Sequence, residues 1–258
     1  MSRTRYLDLD DRSEDARELM RQRPREAKQF MEMYELSWIY HENALEGMVL
    51  THAELRQAFE PTGVMDSSMV HVFKELRNQR DAIDFIKSEA KAKAVKYNLT
   101  LVKKLYEILY KDLPHRMPPV YRKDMPLHRT YFHDIVQPQL ILPGLEQLFD
   151  FMASEEFRKM HAVKQATFSH HRFMELFPFS DLSGKVGRMM MNLILLRAGY
   201  MPVIMHSMER QKYYEGLRLP ATQFGHVVMD MMDNSLDNAF KYFIPGYDET
   251  ARRQAASE

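Results

Sequence analysis

The chain has 258 residues, enough for one large domain or two small ones and for a sizeable core. Its 36 Lys+Arg balance 36 Asp+Glu, a net charge of zero that argues against a general nucleic-acid binder, and its 45% hydrophobic content argues against disorder as the dominant state. No apolar run approaches the roughly 18 residues of a membrane span, the opening MSRTRYLDLDDRSED lacks the apolar core of a secretory signal, and Cys is absent, so neither membrane nor disulfide is expected and a cytoplasmic location is the default.

With only 9 Gly and as many as 21 Met, the composition favours helices, with Met as adaptable core filler. Residues 1–15 are highly charged and read as a flexible N-terminal tail. A helical pattern follows over about 16–46, with Phe30, Tyr34, Trp38 and Leu45 at helical spacing and Gly47 as its stop. Thr51 and Glu54 form a capping box for the next helix, so two helices meet across a very short connection at Glu46–Leu50. Further helices are predicted at about 67–92 and 100–111.

Residues 112–143 carry Pro114, Pro118, Pro119, Pro126, Pro138 and Pro143. Val120–Lys123 and Thr130–Phe132 are strand-like there, so a short edge hairpin lying across a helical body is expected. Helices resume at about 144–153, 155–176, 184–198, 207–217 and 222–243, and residues 244–258 read as a flexible tail. No repeat or linker divides the chain, so 16–243 is expected to form one mostly α domain.

The segment Met189–Ala198 is apolar almost all round and belongs at the centre of such a domain. Lys185, Arg188 and Asn192 nevertheless share one face of that helix at its N-terminal half, directly after the tight connection Phe177–Gly184. Cations beside a helix N-terminus oppose its dipole, and an anion between them would relieve the conflict. The competing reading pairs Arg188 with a carboxylate and leaves Lys185 solvated.

FPFSDLSGKVGR at 177–188 resembles the Fic family signature HxFx[D/E]GNGRxxR. The preceding SHHRFMEL and following MMMNLILLRAGYMP are similar to the family's core helix pair, and RQKYYEGL at 210–217 to its next helix. Tyr121-Arg122 with the Pro-rich stretch looks like its substrate-binding flap, and NALEG at 43–47 like its inhibitory motif [S/T]xxxE[G/N]. The resemblance implies a mostly α, Fic-type helical domain with a short β-hairpin flap (near 120–135). It also implies transfer of part of a nucleotide, usually AMP from ATP, to a hydroxyl of a target protein. By the same resemblance Asp181 would hold Mg²⁺, while Ser183, Gly184, Lys185, Gly187 and Arg188 would surround phosphates, joined by Asn192 from the shared helix face. Glu46 would be the inhibitory residue, paired with Arg188.

The sequence departs from the family pattern where chemistry is done. Phe177 stands in place of the proton-accepting His, Leu182 and Ser183 replace Gly-Asn, Lys185 replaces the first Arg, and Glu42 stands where the inhibitory motif has Ser or Thr. Loss of a positioned general base typically costs about 10²–10⁴ in rate. His170 and His171 lie about two helical turns away from the loop, leaving His128 or His133 of the flap as candidate bases. The expected function is a pseudoenzyme that binds a nucleotide, a phosphate or a protein partner, ATP or another nucleotide with Mg²⁺ being the implied cofactor. The alternatives are an active nucleotidyltransferase with a non-standard base, and a hydrolase using Glu46.

Overall fold

A computed structural model describes residues 3–60, 67–113, 119–126 and 133–248. Eleven α-helices are present among the described residues: α1 (Arg3–Gln22), α2 (Pro24–Leu45), α3 (His52–Phe59), α4 (Val70–Lys91), α5 (Leu99–Tyr110), α6 (Ile141–Ala153), α7 (Glu155–Lys159), α8 (Ala162–Leu176), α9 (Ser183–Arg197), α10 (Arg210–Gly216) and α11 (Ala221–Phe243). The described residues contain no strand. No helix among them is long and apolar enough to cross a membrane.

The core is built around α9, whose residues Ser183–Leu195 are all buried. Helices α8, α4 and α5 pack on it, α11 backs α8, and α1 lies across α11. Met189, Met190 and Met191 of α9 and Met229, Met231 and Met232 of α11 are all buried, as expected of Met used as core filler. The end of α9 is fixed by Gly199 at φ +89, with Tyr200 N–H donating to the Leu195 carbonyl and Gly199 N–H to that of Leu196. This is the paired bonding of a Schellman stop. Helix α2 ends in the same way: Gly47 has φ +93, Met48 N–H donates to the Asn43 carbonyl and Gly47 N–H to that of Ala44. The second stop fixes the backbone at Glu46, one residue past α2, whose last turn carries Glu42 and Asn43. The capping box is formed as predicted, with Glu54 N–H on Thr51 Oγ1 at 3.2 Å and Thr51 N–H on the Glu54 carboxylate at 2.7 Å.

Several sequence expectations are corrected. Residues 3–15 are not a tail: they form most of α1, where Tyr6, Leu9, Arg12, Ser13 and Ala16 are buried at helical spacing. The charges that suggested a tail are the means of docking, since Arg12 pairs with Asp233 and Asp237 of α11 and Arg5 with Asp230. The pattern over 16–46 is two helices, broken at Arg23 because Pro24 at the first position of α2 has no N–H to continue the ladder. Likewise 155–176 divides into α7 and α8, where Met160 is extended and the His161 side chain caps α8. The expected β-hairpin is absent from the described part of 112–143: Val120–Lys123 lack strand structure, and Thr130–Phe132 lie outside the described residues. In the expected C-terminal tail, Tyr247 donates to the Asp237 carboxylate at 2.8 Å and packs on Phe240; residues 249–258 lie outside the described residues.

Candidate functional site

The turn from α8 to α9 is tight and strained at both ends. Phe177 and Leu182 adopt left-handed backbone conformations, with φ of 41° and 57°. For non-glycine residues each costs about 1–2 kcal/mol. Both side chains are buried, at 1% and 6% exposure, and burying a large apolar side chain contributes about 1.5–3 kcal/mol, enough to hold the conformation. Two further devices pin the loop. The Ser183 hydroxyl both accepts from Phe179 N–H and donates to the Phe179 carbonyl, each at 2.9 Å. Arg122, also buried, donates from Nε to the Phe177 carbonyl at 2.8 Å and from Nη2 to the carbonyls of Val136 and Leu176. Its guanidinium thus caps the negative end of α8, and its backbone N–H donates to the Pro178 carbonyl, tying the 119–126 segment to the loop.

Behind this turn α2 brings two carboxylates to the two cations of α9. Arg188 is 1% exposed and Glu42 2%. Arg188 Nε lies 2.8 and 3.0 Å from the two Glu42 oxygens, and Nη2 lies 2.8 Å from Oε2. Trp38 Nε1 adds a 3.3 Å bond to Glu42 Oε1. Glu46 is more distant, 3.4 Å from Arg188 Nη2 and 3.5 Å from Lys185 Nζ, and its side chain is 22% exposed. Lys185 is buried and donates to Asn43 Oδ1 at 2.8 Å, and Asn43 in turn donates to Gln79 Oε1 at 2.7 Å. Arg188 Nη1 reaches the Tyr213 hydroxyl at 3.4 Å, and that hydroxyl is 2.9 Å from His170 Nε2.

The electrostatics follow from the burial. Burial opposes the charge on Arg188, but the Glu42 carboxylate and the Tyr213 hydroxyl overcome it and hold its pKa well above the ordinary value. His170 is pushed the other way, down to about 3, by burial first and then by the Arg188 charge. It is therefore neutral, and its Nε2 is a suitable acceptor for the Tyr213 hydroxyl.

The predicted site residues divide. Lys185, Arg188 and Glu46 come together, as expected, but Glu42 is the nearer partner of Arg188. The reading in which Arg188 pairs with a carboxylate is the one realised, while Lys185 is buried rather than solvated. Gly184 and Gly187 act by close approach: a Cβ at 184 would lie 2.9 Å from Arg188 Nη1, and one at 187 would lie 3.0 Å from Phe173 Cδ1. Asn192 clamps the chain after α9, donating to the Val203 carbonyl at 3.0 Å and accepting from Val203 N–H at 2.7 Å, which uses its amide for structure. Ser183 is similarly occupied with Phe179. Asp181 accepts from the Tyr106 hydroxyl at 2.7 Å, and no group of three or more metal-ligating side chains occurs among the described residues.

His171 bonds the Leu219 carbonyl at 2.8 Å, and His133 is buried with Nε2 on the Met174 carbonyl at 2.9 Å. His128 lies outside the described residues. Sequence reasoning missed Glu42, Asn43, Gln79 and Arg122 as members of this network. For Glu42 a signal was present, since Glu42 and Glu46 are spaced i, i+4 and share a face.

Comparison with known proteins agrees with this fold. Residues 96–195 match the Fic/DOC family model. The protein adenylyltransferase Fic of Drosophila willistoni is 29% identical over 215 residues, covering 77% of this chain and 40% of the relative, and that of Drosophila persimilis is 30% identical, covering 77% and 39%. The chain thus spans about two fifths of the length of these curated relatives. Among solved structures, Fic-1 of C. elegans superposes with a TM-score of 0.77 at 19% identity, covering 93% of this chain and 71% of that one. A Fic domain containing signalling protein from Bacteroides thetaiotaomicron gives 0.75 at 19% identity, covering 95% and 100%. The helical architecture and the sequence match converge, and the chain belongs to the Fic/DOC family.

Proposed function

We propose that this Fic-fold chain is a pseudoenzyme, acting by binding a phosphate-bearing ligand or a protein partner rather than by transferring AMP. Phe177 carries the reading. It occupies the motif position of the proton-accepting His, its ring is 1% exposed, and it has no lone pair with which to take a hydroxyl proton. The state of the two cations supports the same reading. Glu42 and Glu46 already neutralise Lys185 and Arg188, so a nucleoside triphosphate with Mg²⁺ does not fit the arrangement as it stands. Its phosphates would meet two carboxylates where the family resemblance asks for free cations and Asp181. A phosphate-bearing ligand would first have to displace Glu46, the looser of the two acids.

The test is labelling from ATP carrying a radioactive α-phosphate. No transfer to itself or to lysate proteins is expected, from the wild type or from Glu46→Gly. Phe177→His alone should stay silent, because Leu182, Ser183 and Lys185 still deny the phosphates their cradle. Phe177→His combined with Leu182→Gly, Ser183→Asn and Lys185→Arg should label best, since residues acting as a unit are non-additive. The names of the Drosophila relatives favour a second reading, AMP transfer with a non-standard base. Robust labelling by the wild type would establish that reading and overturn the first.

A further inference from the structure

We propose that a groove at the far end of α9 docks an acidic peptide segment carrying an apolar anchor. This goes beyond the function proposed above and does not depend on it. The groove has a volume of about 830 Å³ and lies between the α4–α5 linker, α6, α7 and the C-terminal turn of α9. From Arg188 to Arg197 the helix rises roughly 14 Å, so the groove is separate from the charge cluster at the other end.

Its walls are fixed by polar bonds. Arg197 donates to the carbonyls of Ala92 at 2.7 Å and Lys93 at 3.0 Å, holding the linker wall against α9. Gln165 Nε2 donates to the carbonyls of Phe157 and Met160, both at 2.9 Å, holding the opposite wall. Between them the floor is apolar: Phe149, Met152 and Ile194 line it from α6 and α9. A preformed cleft of this size with an apolar floor has the general form of a binding site.

Charge selects the occupant. The chain as a whole is neutral, yet this rim carries Lys93, Lys96, Arg158 and Arg197 against the single acid Asp150. Lys93, Lys96 and Arg158 are exposed, and none has a carboxylate partner among the described residues. Arg197 is committed to its carbonyls, so Lys93 and Lys96 from the linker and the Nη groups of Arg158 from α7, whose Nε donates to the Ser154 carbonyl at 3.3 Å, remain for a ligand. Tyr97 also lines the groove, and its hydroxyl makes no hydrogen bond among the described residues. Facing cations above an apolar floor match a segment with Asp or Glu flanking an aliphatic or aromatic side chain, and such complementarity steers association as well as fixing it.

The experiment selects a random peptide display library on the full chain and measures the winning peptides by fluorescence anisotropy. Enriched sequences should combine Asp or Glu with Leu, Ile or Phe. Lys93→Glu, Lys96→Glu and Arg158→Glu together should weaken them by at least about tenfold, and Asp150→Lys should tighten them. These four side chains are exposed, so the thermal melt of each variant should match the wild type. Three results would overturn the proposal: no enrichment, enrichment of non-acidic peptides, or affinity indifferent to both sets of charge changes. Sedimentation of the chain alone gives a fourth. A concentration-dependent dimer abolished by the triple reversal would make a second copy the occupant instead.

Discussion

Arg12 and Arg188 are two buried arginines, each shared between two carboxylates of another helix, and only one belongs to the candidate site. Arg12 lies against α11, with Nη1 on Asp233 and Nη2 on Asp237 at 2.6 Å, and Arg5 extends the row to Asp230. All three acids are interior residues of one helix, so the row is a zipper between two helix faces. Arg12 Nε has no hydrogen-bond partner among the described residues. Arg188 uses Nε and both Nη groups, and its two acids are unequal: Glu42 lies inside α2 and is almost fully buried, whereas Glu46 is the residue just past the helix end. A second cation, Lys185, shares Glu46. A buried arginine with two carboxylates is thus no mark of a site. The mark is asymmetry, one tight acid and one that a ligand can displace, beside a strained turn.

The largest expected effect tests the tight acid. Glu42→Ala leaves the Arg188 charge buried with only Glu46 at 3.4 Å, and breaking a buried pair from one side typically costs about 3–5 kcal/mol. Urea unfolding should report a loss of that order. Because the stranded guanidinium then seeks an anion, added inorganic phosphate should restore part of the loss in Glu42→Ala and do little for the wild type. Equal rescue of both would remove the asymmetry.

Much of this architecture was legible in the sequence. The stop at Gly47, the capping box at Thr51 and the all-round apolar helix after Phe177 are written in local chemistry, and the structure places each where that chemistry puts it. What was not legible depends on distant partners. The charges of α1 look solvated until α11 supplies its row of aspartates, and Asn192 looks like a ligand residue until Val203 folds back onto its amide. Glu46 does meet Arg188, at 3.4 Å, but the closer second partner, Glu42, was not legible for a related reason. Both acids of α2 lie on one face, and only the packing of α2 against the core decides which carboxylate meets the guanidinium squarely. The strand predicted at Val120–Lys123 is irregular instead, because β-branched and aromatic residues beside prolines can equally line an irregular segment, here held by Arg122.

The structural arginine gives the next effect. Asp237→Asn keeps the shape but removes the charge that Arg12 meets at 2.6 Å and that also accepts from Tyr247. A hydrogen bond to a charged group contributes about 1.5–3 kcal/mol, and Asp233 remains to share the loss. Hydrogen exchange should speed up in α1 and α11, and phosphate should give no rescue. Rescue by phosphate here would make the two arginines alike.

A pH titration sharpens the comparison from the neutral side of the cluster. Below the ordinary 6.5, the unfolded chain protonates His170, while the folded chain refuses the proton until about 3. The unfolded state therefore binds more protons across that window, so stability is full above it and falls as pH drops through it. The slope is at most one proton, about 1.4 kcal/mol per pH unit. His41, lowered to about 4 by burial and by His206, contributes in the same direction. His170→Phe retains the ring packing against Tyr213 and Phe224, loses the bond to the Tyr213 hydroxyl, and should flatten the acid limb by up to one proton. An unchanged slope would mean that His170 is not held neutral beside Arg188.

The smallest effect is the most discriminating. Glu46 sits at the Schellman end of α2, 22% exposed, with both contacts beyond 3.3 Å, and its loss leaves Glu42 on Arg188 and Asn43 on Lys185. Because Glu46 is itself partly exposed, its contacts are long, and Glu42 and Asn43 stay on the two cations, Glu46→Ala should cost well under the roughly 3–5 kcal/mol expected of Glu42→Ala. The same change removes the only carboxylate within salt-bridge range of Lys185 among the described residues, so that cation gains net attraction for an anion. Glu46→Ala should therefore bind inorganic phosphate more tightly than the wild type, measured as a larger upward shift of Tm with phosphate, and the shift should shrink as salt is raised. A small loss of stability with anion affinity raised is the signature of a displaceable acid. A loss as large as that of Glu42→Ala would mean instead that both acids of α2 are structural, and the cluster would then be a second zipper like that of Arg12.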